Sequence, residues 1–387
     1  MVKVISVKFP NVLVSSDTQS LYNDILRHLR DEILEFWLKR ARDELGYKVS
    51  FGERGDYRYE HYKGIVSQAR IIWAFLEAYD FLNDRRYLEF ALHGVPCLLK
   101  FWDKTYKGWF WKIDVLGSPF DPSKRLYGQA FALLALAKLY GITEDEKYLN
   151  LYLKTLEVIH EKCLYKDGFY HEFNKSWKPL RGEPEGCWNM NSIMHFMEAL
   201  MEGTNNGIGE AKDMLKDVFK FFKDTFIRSP NPHLVEYVTF EGDIPKEHYI
   251  VNIGHNLEVS WMFYELGESA ISKSLVDFSI KNGWDNEHYG FFEYLIPYRR
   301  LISRDKVWWI QAEALSALST LNLNALLFKQ IRWCLEKQAD HRYGEWYAIC
   351  FADGRVKDPT KDSEWKVCYH NVRGLIKTLI TLKSKFK

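Results

Sequence analysis

Lys107-Gly108-Trp109-Phe110-Trp111, followed by an apolar segment from Tyr127 to Tyr140, is the pattern that decides the fold of this chain. A glycine with aromatic neighbours is typical of a short β-like stretch, and the second segment has its apolar residues at helical spacing. Similar glycine stretches recur at Leu45-Gly46-Tyr47, Asp167-Gly168-Phe169-Tyr170, Tyr289-Gly290-Phe291-Phe292 and Tyr343-Gly344-Glu345-Trp346-Tyr347, and a copy without the glycine stands at Val235-Glu236-Tyr237-Val238-Thr239-Phe240.

The repeat has a period of roughly 60 residues, which fits two helices and a turn. We therefore predict an all-α fold, a closed (α/α)6 barrel with one helix of each pair inside and short β-hairpin loops at one end. A plain α-solenoid is the alternative. No Pro/Gly/Ser-rich linker divides residues 1–387, so we expect a single domain. The twelve predicted helices are 18–42, 63–82, 84–102, 124–140, 143–161, 188–203, 208–226, 254–267, 268–282, 306–320, 322–337 and 369–384.

Composition narrows the class of partner. Hydrophobic residues make up 47% of the 387 residues, enough for a large core. Lys and Arg number 53 against 52 Asp and Glu, so the charge gives no reason to expect nucleic acid or a membrane surface as partner. Aromatic residues reach 16%. They suit the faces of sugars, although helix packing also explains them. The expected partner is a neutral small molecule.

Six cysteines show no CxxC pair or framework spacing, which predicts free thiols in a reducing compartment. Residues 1–15 contain Lys3 and Lys8 and no uninterrupted apolar region, so we expect no signal peptide. No apolar run is long enough to predict a membrane span. The expected protein is cytoplasmic, a monomer or a homodimer.

The unusual polar residues fall in the first turns of the even-numbered helices. Parallel inner helices have their N-termini at the same end, so these side chains are predicted to converge at one mouth of the barrel. They are Arg70 in helix two, Tyr127 and Gln129 in helix four, Asn191 and His195 in helix six, His255 and Glu258 in helix eight, Trp308, Trp309 and Glu313 in helix ten, and His370 in helix twelve.

This set of residues fits proton transfer on a sugar. A carboxylate beside a histidine raises the basicity of the ring, and His255 and Glu258 share a helix face at i,i+3. Two histidines on opposite sides of a sugar would remove and return a proton next to a carbonyl, while an arginine and carboxylates would stabilise an enediolate.

The same residues also have purely structural interpretations. The histidines also fit as helix caps, the acids as residues favoured by the helix dipole, and Arg70 as a buried ion-pair partner. A zinc site made of His195, His255, His370 and Glu258 is a further alternative, but no HExxH motif or Cys/His cluster supports it.

At these residues the chain resembles the N-acylglucosamine 2-epimerase superfamily, most closely its cellobiose 2-epimerase branch. The resemblance implies an (α/α)6 barrel and epimerisation or isomerisation at the reducing end of a sugar, without metal or cofactor. It is carried by Ser67-Gln68-Ala69-Arg70-Ile71-Ile72-Trp73, Leu126-Tyr127-Gly128-Gln129-Ala130-Phe131, Met190-Asn191-Ser192-Ile193-Met194-His195, residues 255–261, Trp308-Trp309-Ile310-Gln311-Ala312-Glu313-Ala314 and Tyr369-His370-Asn371-Val372-Arg373.

The resemblance also assigns roles. It makes His370 and His255 the acid/base pair on opposite faces of C2, with a cis-enediolate between them, and Glu258 the residue that tunes His255. His195 would contact the opened sugar around O1 and O2. The substrate-binding residues would be Arg70, Tyr127, Asn191, Trp308, Trp309 and Glu313, with one of the tryptophans stacking on a sugar ring.

Two departures from the family pattern concern substrate length. The first hairpin has a single glycine, Gly46, and Gln68 stands where the cellobiose enzymes usually have asparagine. Three alternative functions stay open: an aldose-ketose isomerase, an (α/α)6 glycoside hydrolase using two carboxylates such as Glu258 and Glu313, and a non-catalytic sugar-binding protein. The sequence does not decide between a monosaccharide and a disaccharide substrate.

Overall fold

The structure is a computed structural model that describes residues 14–182, 184–297 and 301–385. Within these residues the chain forms twelve long helices, α1 to α12, and nineteen short strands, β1 to β19. Residues 1–13, which carry most of the signal-peptide prediction, lie outside the described residues. The single-domain prediction for 1–387 stays a prediction.

The helices agree with the predicted positions to within a few residues. Helix α1 runs through Val14–Arg27, a π-helical segment His28–Leu34 and Glu35–Arg40, and α11 is Asn324–Trp333 continued by a π-helical segment Cys334–Gln338. The others are α2 Ile65–Leu82, α3 Arg85–Lys100, α4 Leu126–Thr143, α5 Glu146–Cys163, α6 Met190–Asn205, α7 Gly209–Phe226, α8 Ile253–Glu265, α9 Ser269–Gly283, α10 Trp308–Thr320 and α12 Tyr369–Lys383, with a 3-10 turn at Lys246–His248.

The strands are two or three residues long and pair antiparallel in small sheets. The sheets are β1–β2, β3–β4–β5, β6–β9, β7–β8, β10–β13, β11–β12, β14–β15–β16 and β17–β18–β19. Their bounds are Arg42–Asp43, Gly46–Tyr47, Tyr62–Gly64, Lys112–Asp114, Pro119–Asp121, Lys124–Arg125, Leu164–Tyr165, Gly168–Phe169, Glu172–Phe173, Cys187–Asn189, Ile227–Arg228, His233–Leu234, Tyr237–Thr239, Val251–Asn252, Tyr294–Ile296, Leu301–Ser303, Lys306–Val307, Ile349–Cys350 and Val356–Asp358.

The even-numbered helices pack side by side, in the order α2, α4, α6, α8, α10, α12 and back to α2. Each is buried on nearly all sides over its first turns, whereas the odd-numbered helices α3, α5, α7, α9 and α11 bury one face against the preceding even helix, and α1 packs on α12. This burial follows the amphipathic rule, because a helix that is apolar all round belongs in a core. The predicted predominantly helical fold is confirmed.

Helix α4 illustrates that rule. Among the described helices it is the one with the length and apolar composition of a membrane span, and 72% of it is buried inside the protein. Its neighbours α2 and α6 cover it. Its apolar character is explained as that of a core helix.

Four side-chain amides tie the hairpins to the inner helices. Each is the fourth residue of its helix and binds a backbone group of the loop that leads into that helix. We call Gln68, Gln129, Asn256 and Gln311 the amide clamps. Gln68 binds the backbone N and O of Tyr47 at 3.0 Å each, Gln129 those of Trp109 at 2.8 Å, Gln311 those of Phe291 at 2.9 and 2.7 Å, and Asn256 accepts from Leu234 N at 3.0 Å.

The clamp at Gln68 explains both departures from the family pattern. Gln68 is fully buried against the first hairpin, so its side chain anchors that hairpin. Gly46 lies in the same turn at φ +89°, where a Cβ would stand 2.6 Å from Cys97 Cβ. A backbone in this region favours glycine. The departures therefore concern hairpin packing, and the expectation that they also bear on substrate length stays a prediction.

All six cysteines are free and buried, in agreement with the absence of a CxxC pair. Burial in apolar surroundings raises the pKa of thiols such as Cys163 and Cys334. They are held as neutral thiols, so the chemistry of the protein has to come from other groups.

Candidate active site

The inner helices begin directly after strands, and this places their first turns around one cavity. Strands β3, β6, β10, β14 and β17 lead straight into α2, α4, α6, α8 and α10. The cavity has a volume of about 210 Å³. Of the eleven residues predicted to converge here, nine line the cavity. Gln129 and Glu313 do not, and Trp365 was missed. Its lining residues are Arg70, Tyr127, Asn191, His195, His255, Glu258, Trp308, Trp309, Trp365 and His370.

Three histidines at the cavity share one arrangement, a carboxylate oxygen within hydrogen-bond distance of Nδ1. An ionised carboxylate accepts the Nδ1–H proton and thereby fixes the tautomer, which leaves the lone pair on Nε2. The pairs are His195 with Glu198 at 2.8 Å, His255 with Glu236 at 2.8 Å and His370 with Glu313 at 2.6 Å.

Burial keeps two of these rings neutral. It lowers the pKa of His370 to about 3, because desolvation, helped by the charges of Arg70 and Arg373, outweighs the opposing effect of Glu313. Burial likewise lowers the pKa of His195 to about 4 against the opposing effect of Glu198. A neutral imidazole with a fixed tautomer is ready to accept a proton or a hydrogen bond at Nε2.

Beneath the cavity lies a buried ionic group, which we call the Arg373 cluster and which comprises Arg373, Glu198, Glu258, Glu313 and Tyr369. The guanidinium of Arg373 donates to Glu258 at 2.8 Å, to Glu313 at 2.6 Å, to the Tyr369 hydroxyl at 2.6 Å and to Glu198. Every member is at least nine-tenths buried. One cation thus serves three carboxylates.

The three carboxylates do not share the same charge state. Burial opposes ionisation of Glu198 and Glu313, but Arg373 and the partner histidines outweigh it and hold both pKa values at about 2. Burial, together with the charge of Glu313, raises the pKa of Glu258 well above its usual range. These shifts favour the ionised forms of Glu198 and Glu313 and the neutral form of Glu258, which faces the cavity.

Glu258 does not contact His255, contrary to the expectation from their i,i+3 spacing. The carboxylate next to His255 is Glu236, on the segment between β12 and β13. The two residues lie at different depths: His255 is at the mouth, 9% exposed, and Glu258 is a turn deeper, 1% exposed, where it meets Arg373. Glu236 was missed because no spacing in the sequence links this loop residue to α8.

Glu313 is not free to hold a sugar, which corrects a second expectation. Its Oε1 binds Nδ1 of His370 and Nη2 of Arg373, and its Oε2 accepts from Trp261 Nε1 at 3.0 Å. The residue is fully buried. Glu313 lies behind His370 and orients that ring.

Trp309 packs near both His255 of α8 and His370 of α12. Its ring centroid is 5.0 Å from that of His255 and 5.7 Å from that of His370. The indole packs on Gly254, where a Cβ would lie 2.5 Å from the ring. A glycine before His255 therefore lets the indole approach α8, and the rings of His255 and His370 both pack near the same indole at one cavity.

The opposite wall is formed around Arg70. Its guanidinium donates to the Tyr127 hydroxyl at 2.8 Å and to the carbonyl of Trp365 at 3.0 Å, and it lies 4.3 Å from the ring centroid of Phe131. The Trp365 side chain is 47% exposed and packs near Tyr127. Its position in the irregular segment before α12 gave the sequence no periodic signal for it.

Three residues that line the cavity have a buried polar atom without a hydrogen-bond partner within the described residues: Arg70 Nε, Asn191 Oδ1 and Trp308 Nε1. A buried polar group without a partner is costly, so such atoms at a cavity are suited to a ligand that brings hydroxyls. A second cavity of about 200 Å³ shares Tyr127, Asn191 and Trp365 with the first and adds Arg125 and Glu172. The space available to a ligand extends sideways from the histidines.

Histidines and carboxylates also come close enough to form metal-type clusters. His195, Glu198 and Glu258 form one, and Glu258, Glu313 and His370 form another. In both, Nδ1 of the histidine is already bound to a carboxylate, and the guanidinium of Arg373 lies among the acids. The donor atoms of these clusters therefore already have partners within the protein.

Comparison with known proteins identifies the family of this chain. The sequence model of the N-acylglucosamine 2-epimerase (GlcNAc 2-epimerase) family matches residues 46–374. A cellobiose 2-epimerase of Dictyoglomus turgidum is 27% identical over 92% of this chain and 97% of its own length, and a D-mannose isomerase of Marinomonas mediterranea is 26% identical over 91% and 95%.

Solved structures give the same fold. The structure of cellobiose 2-epimerase from Spirochaeta thermophila superimposes with a TM-score of 0.86 at 22% identity, covering 98% of this chain and 100% of the other. With the family model spanning most of the sequence, the resemblance found in the motifs is confirmed. The chain belongs to the N-acylglucosamine 2-epimerase family.

Proposed function

We propose that the protein is a metal-independent sugar 2-epimerase acting at the reducing-end C2 of an aldose, either of the mannose/glucose type or a β-1,4 disaccharide. Family membership makes it a carbohydrate epimerase or isomerase. We further infer that the six helix pairs form an (α/α)6 barrel, and that the enzyme is cytoplasmic, a monomer or homodimer, with no cofactor and no nucleic acid or membrane partner. One observation carries the proposal: His255 and His370 line a single cavity and both pack near Trp309, each with a carboxylate on Nδ1.

The chemistry follows from two bases facing one carbon. Neutral His370 removes the C2 proton of one epimer, which gives a cis-enediolate, and protonated His255 delivers a proton to the opposite face. The reverse reaction exchanges the roles. Arg70 and the neutral carboxyl of Glu258 line the same cavity and donate hydrogen bonds to the oxygens where negative charge develops. His195, Asn191, Tyr127, Trp308 and Trp309 hold the sugar.

The second candidate is an aldose-ketose isomerase, in which the proton returns to C1 instead of C2. We keep this alternative because the chain matches a D-mannose isomerase over 95% of that protein's length. A glycoside hydrolase is disfavoured because it requires two carboxyl groups facing the substrate. Of Glu258 and Glu313, only Glu258 lines the cavity.

Isotope exchange tests the reaction. A proton held on a histidine exchanges with solvent, so epimer formed in deuterated water should carry deuterium at C2, and a ketose product should carry it at C1. The assay is incubation with mannose, glucose, N-acetylmannosamine or cellobiose followed by NMR. Sugars left without label, or hydrolysis products, would overturn the proposal.

Chelation tests metal independence. Arg373 already supplies positive charge to Glu198, Glu258 and Glu313, so activity is expected to survive prolonged incubation with EDTA. The measurement is the epimerisation rate before and after chelation and after adding zinc. Loss with EDTA and recovery with zinc would contradict a metal-free mechanism.

A further inference from the structure

The carboxylate partner of His255 comes from an unexpected place. Glu236 lies outside the twelve described helices, on the segment between β12 and β13, and its Oε1 is 2.8 Å from Nδ1 of His255. Glu236 is not among the residues that line the cavity. Glu236 therefore contacts His255, which lines the space for the sugar, without lining that space itself.

Both ends of the Glu236 segment are fixed. Two residues earlier, the backbone N of Leu234 donates to the amide clamp Asn256, which directly follows His255 in the chain. The carbonyl of Glu236 itself accepts from the N of Met190, the first residue of α6, at 3.0 Å. The loop is thus held in register with His255 by contacts that do not involve the carboxylate, which leaves the carboxylate free for the histidine.

The two histidines are supported differently. Glu313, behind His370, also binds Arg373 and Trp261 and is fully buried. Glu236 is half-buried, and its side chain bonds to His255 alone among the hydrogen bonds of the described residues. A positive charge on His370 is compensated by Glu313, which also belongs to the Arg373 cluster. A positive charge on His255 is compensated by the carboxylate of Glu236.

Resting on the proposed function, we propose that Glu236 is the positioning residue of His255: it holds the Nδ1–H tautomer, aims Nε2 at C2 and stabilises the ring when it carries the proton. An ionised carboxylate on Nδ1 supports both the neutral base and the imidazolium. Glu236 acts on only one of the two proton transfers, because His370 has its own carboxylate in Glu313.

The test compares Glu236→Gln with the control Glu293→Gln. Glu293 is a half-buried glutamate whose carbonyl accepts from the first residue of α8, while its carboxylate binds only the Ser303 hydroxyl in the described residues. For Glu236→Gln we expect kcat to fall about 10- to 100-fold, less than the 10²- to 10⁴-fold typical of deleting an acid/base group, with KM within about twofold. Glu293→Gln should keep wild-type kcat.

A second readout separates positioning from simple structural damage. With each pure epimer in deuterated water, Glu236→Gln should raise the ratio of C2 exchange to inversion for the epimer whose proton His370 removes. It should lower that ratio for the other epimer, because return of the proton through His255 is slowed. In Glu236→Ala, added formate should restore part of kcat in a saturable way.

The outcomes are distinguishable. Wild-type kcat in Glu236→Gln, or equal losses of exchange and inversion from both epimers, would overturn the role of Glu236 and leave the proposed function intact. A wild-type enzyme that exchanges no proton at C2 or C1 would overturn the proposed function itself.

Discussion

Replacement of His370 by asparagine is expected to lower turnover by roughly 10²- to 10⁴-fold, the range typical of losing a general acid/base group. Asparagine keeps a polar side chain of similar reach and can still donate to Glu313, so the fold should persist. His255→Asn should have a comparable effect. The measurement is the epimerisation rate of the purified, folded variants with each epimer as substrate.

A control for this loss is His160→Asn, which changes an exposed histidine in the last turn of α5. It should leave the rate unchanged. If the two histidines act on opposite faces, each single variant should still exchange the C2 proton of one epimer without completing inversion. Near-normal epimerisation by folded His370→Asn or His255→Asn would contradict the two-histidine mechanism.

Replacement of Arg373 by methionine is expected to cost about 3–5 kcal/mol of the free energy of unfolding, as when one partner of a buried ion pair is removed. The cause is that Glu198, Glu258 and Glu313 would lose their common cation. Denaturant unfolding of both proteins gives the difference. Arg373→Lys, which keeps the charge but not the forked geometry, should fall between them.

The loss of unfolding free energy in Arg373→Met should also depend on pH. In the wild type, the pKa values of Glu198 and Glu313 lie at about 2, below their usual 4.5. Their stabilising contribution is therefore present above pH 4.5 and lost as pH falls toward 2, so the difference between wild type and Arg373→Met should shrink over that window. Arg332→Met, which breaks an exposed pair with Glu336, should cost less than about 1 kcal/mol. A comparable loss in both variants would contradict a special role for the cluster.

The sequence predicted the helical fold and the cavity for a common reason. Apolar residues at helical spacing mark the inner helices. A polar side chain in the first turn of such a helix is therefore expected to face the space enclosed by the inner helices. His195, His255 and His370 were found this way, because helical periodicity is a local property that the chain shows directly.

Partners across elements were not predictable in the same way. A spacing of i,i+3 places His255 and Glu258 on one face of α8. It does not predict that Glu258 is buried more deeply than His255, or that Glu258 binds Arg373 of α12. Glu236 comes from a loop whose register is set by a tertiary contact, Leu234 to Asn256. Such contacts depend on how helices are rotated and stacked, and the sequence alone does not specify this.

The amide clamps attach the loops between the helices to the first turns of the inner helices. Each clamped loop is anchored to the helix it precedes, through backbone atoms that any residue type supplies. The clamps themselves therefore do not depend on the side chains of the loop residues that they hold. Exchanging loop 227–252 for the corresponding loop of a relative, with Glu236 retained, would therefore test whether this loop decides which sugars the scaffold accepts.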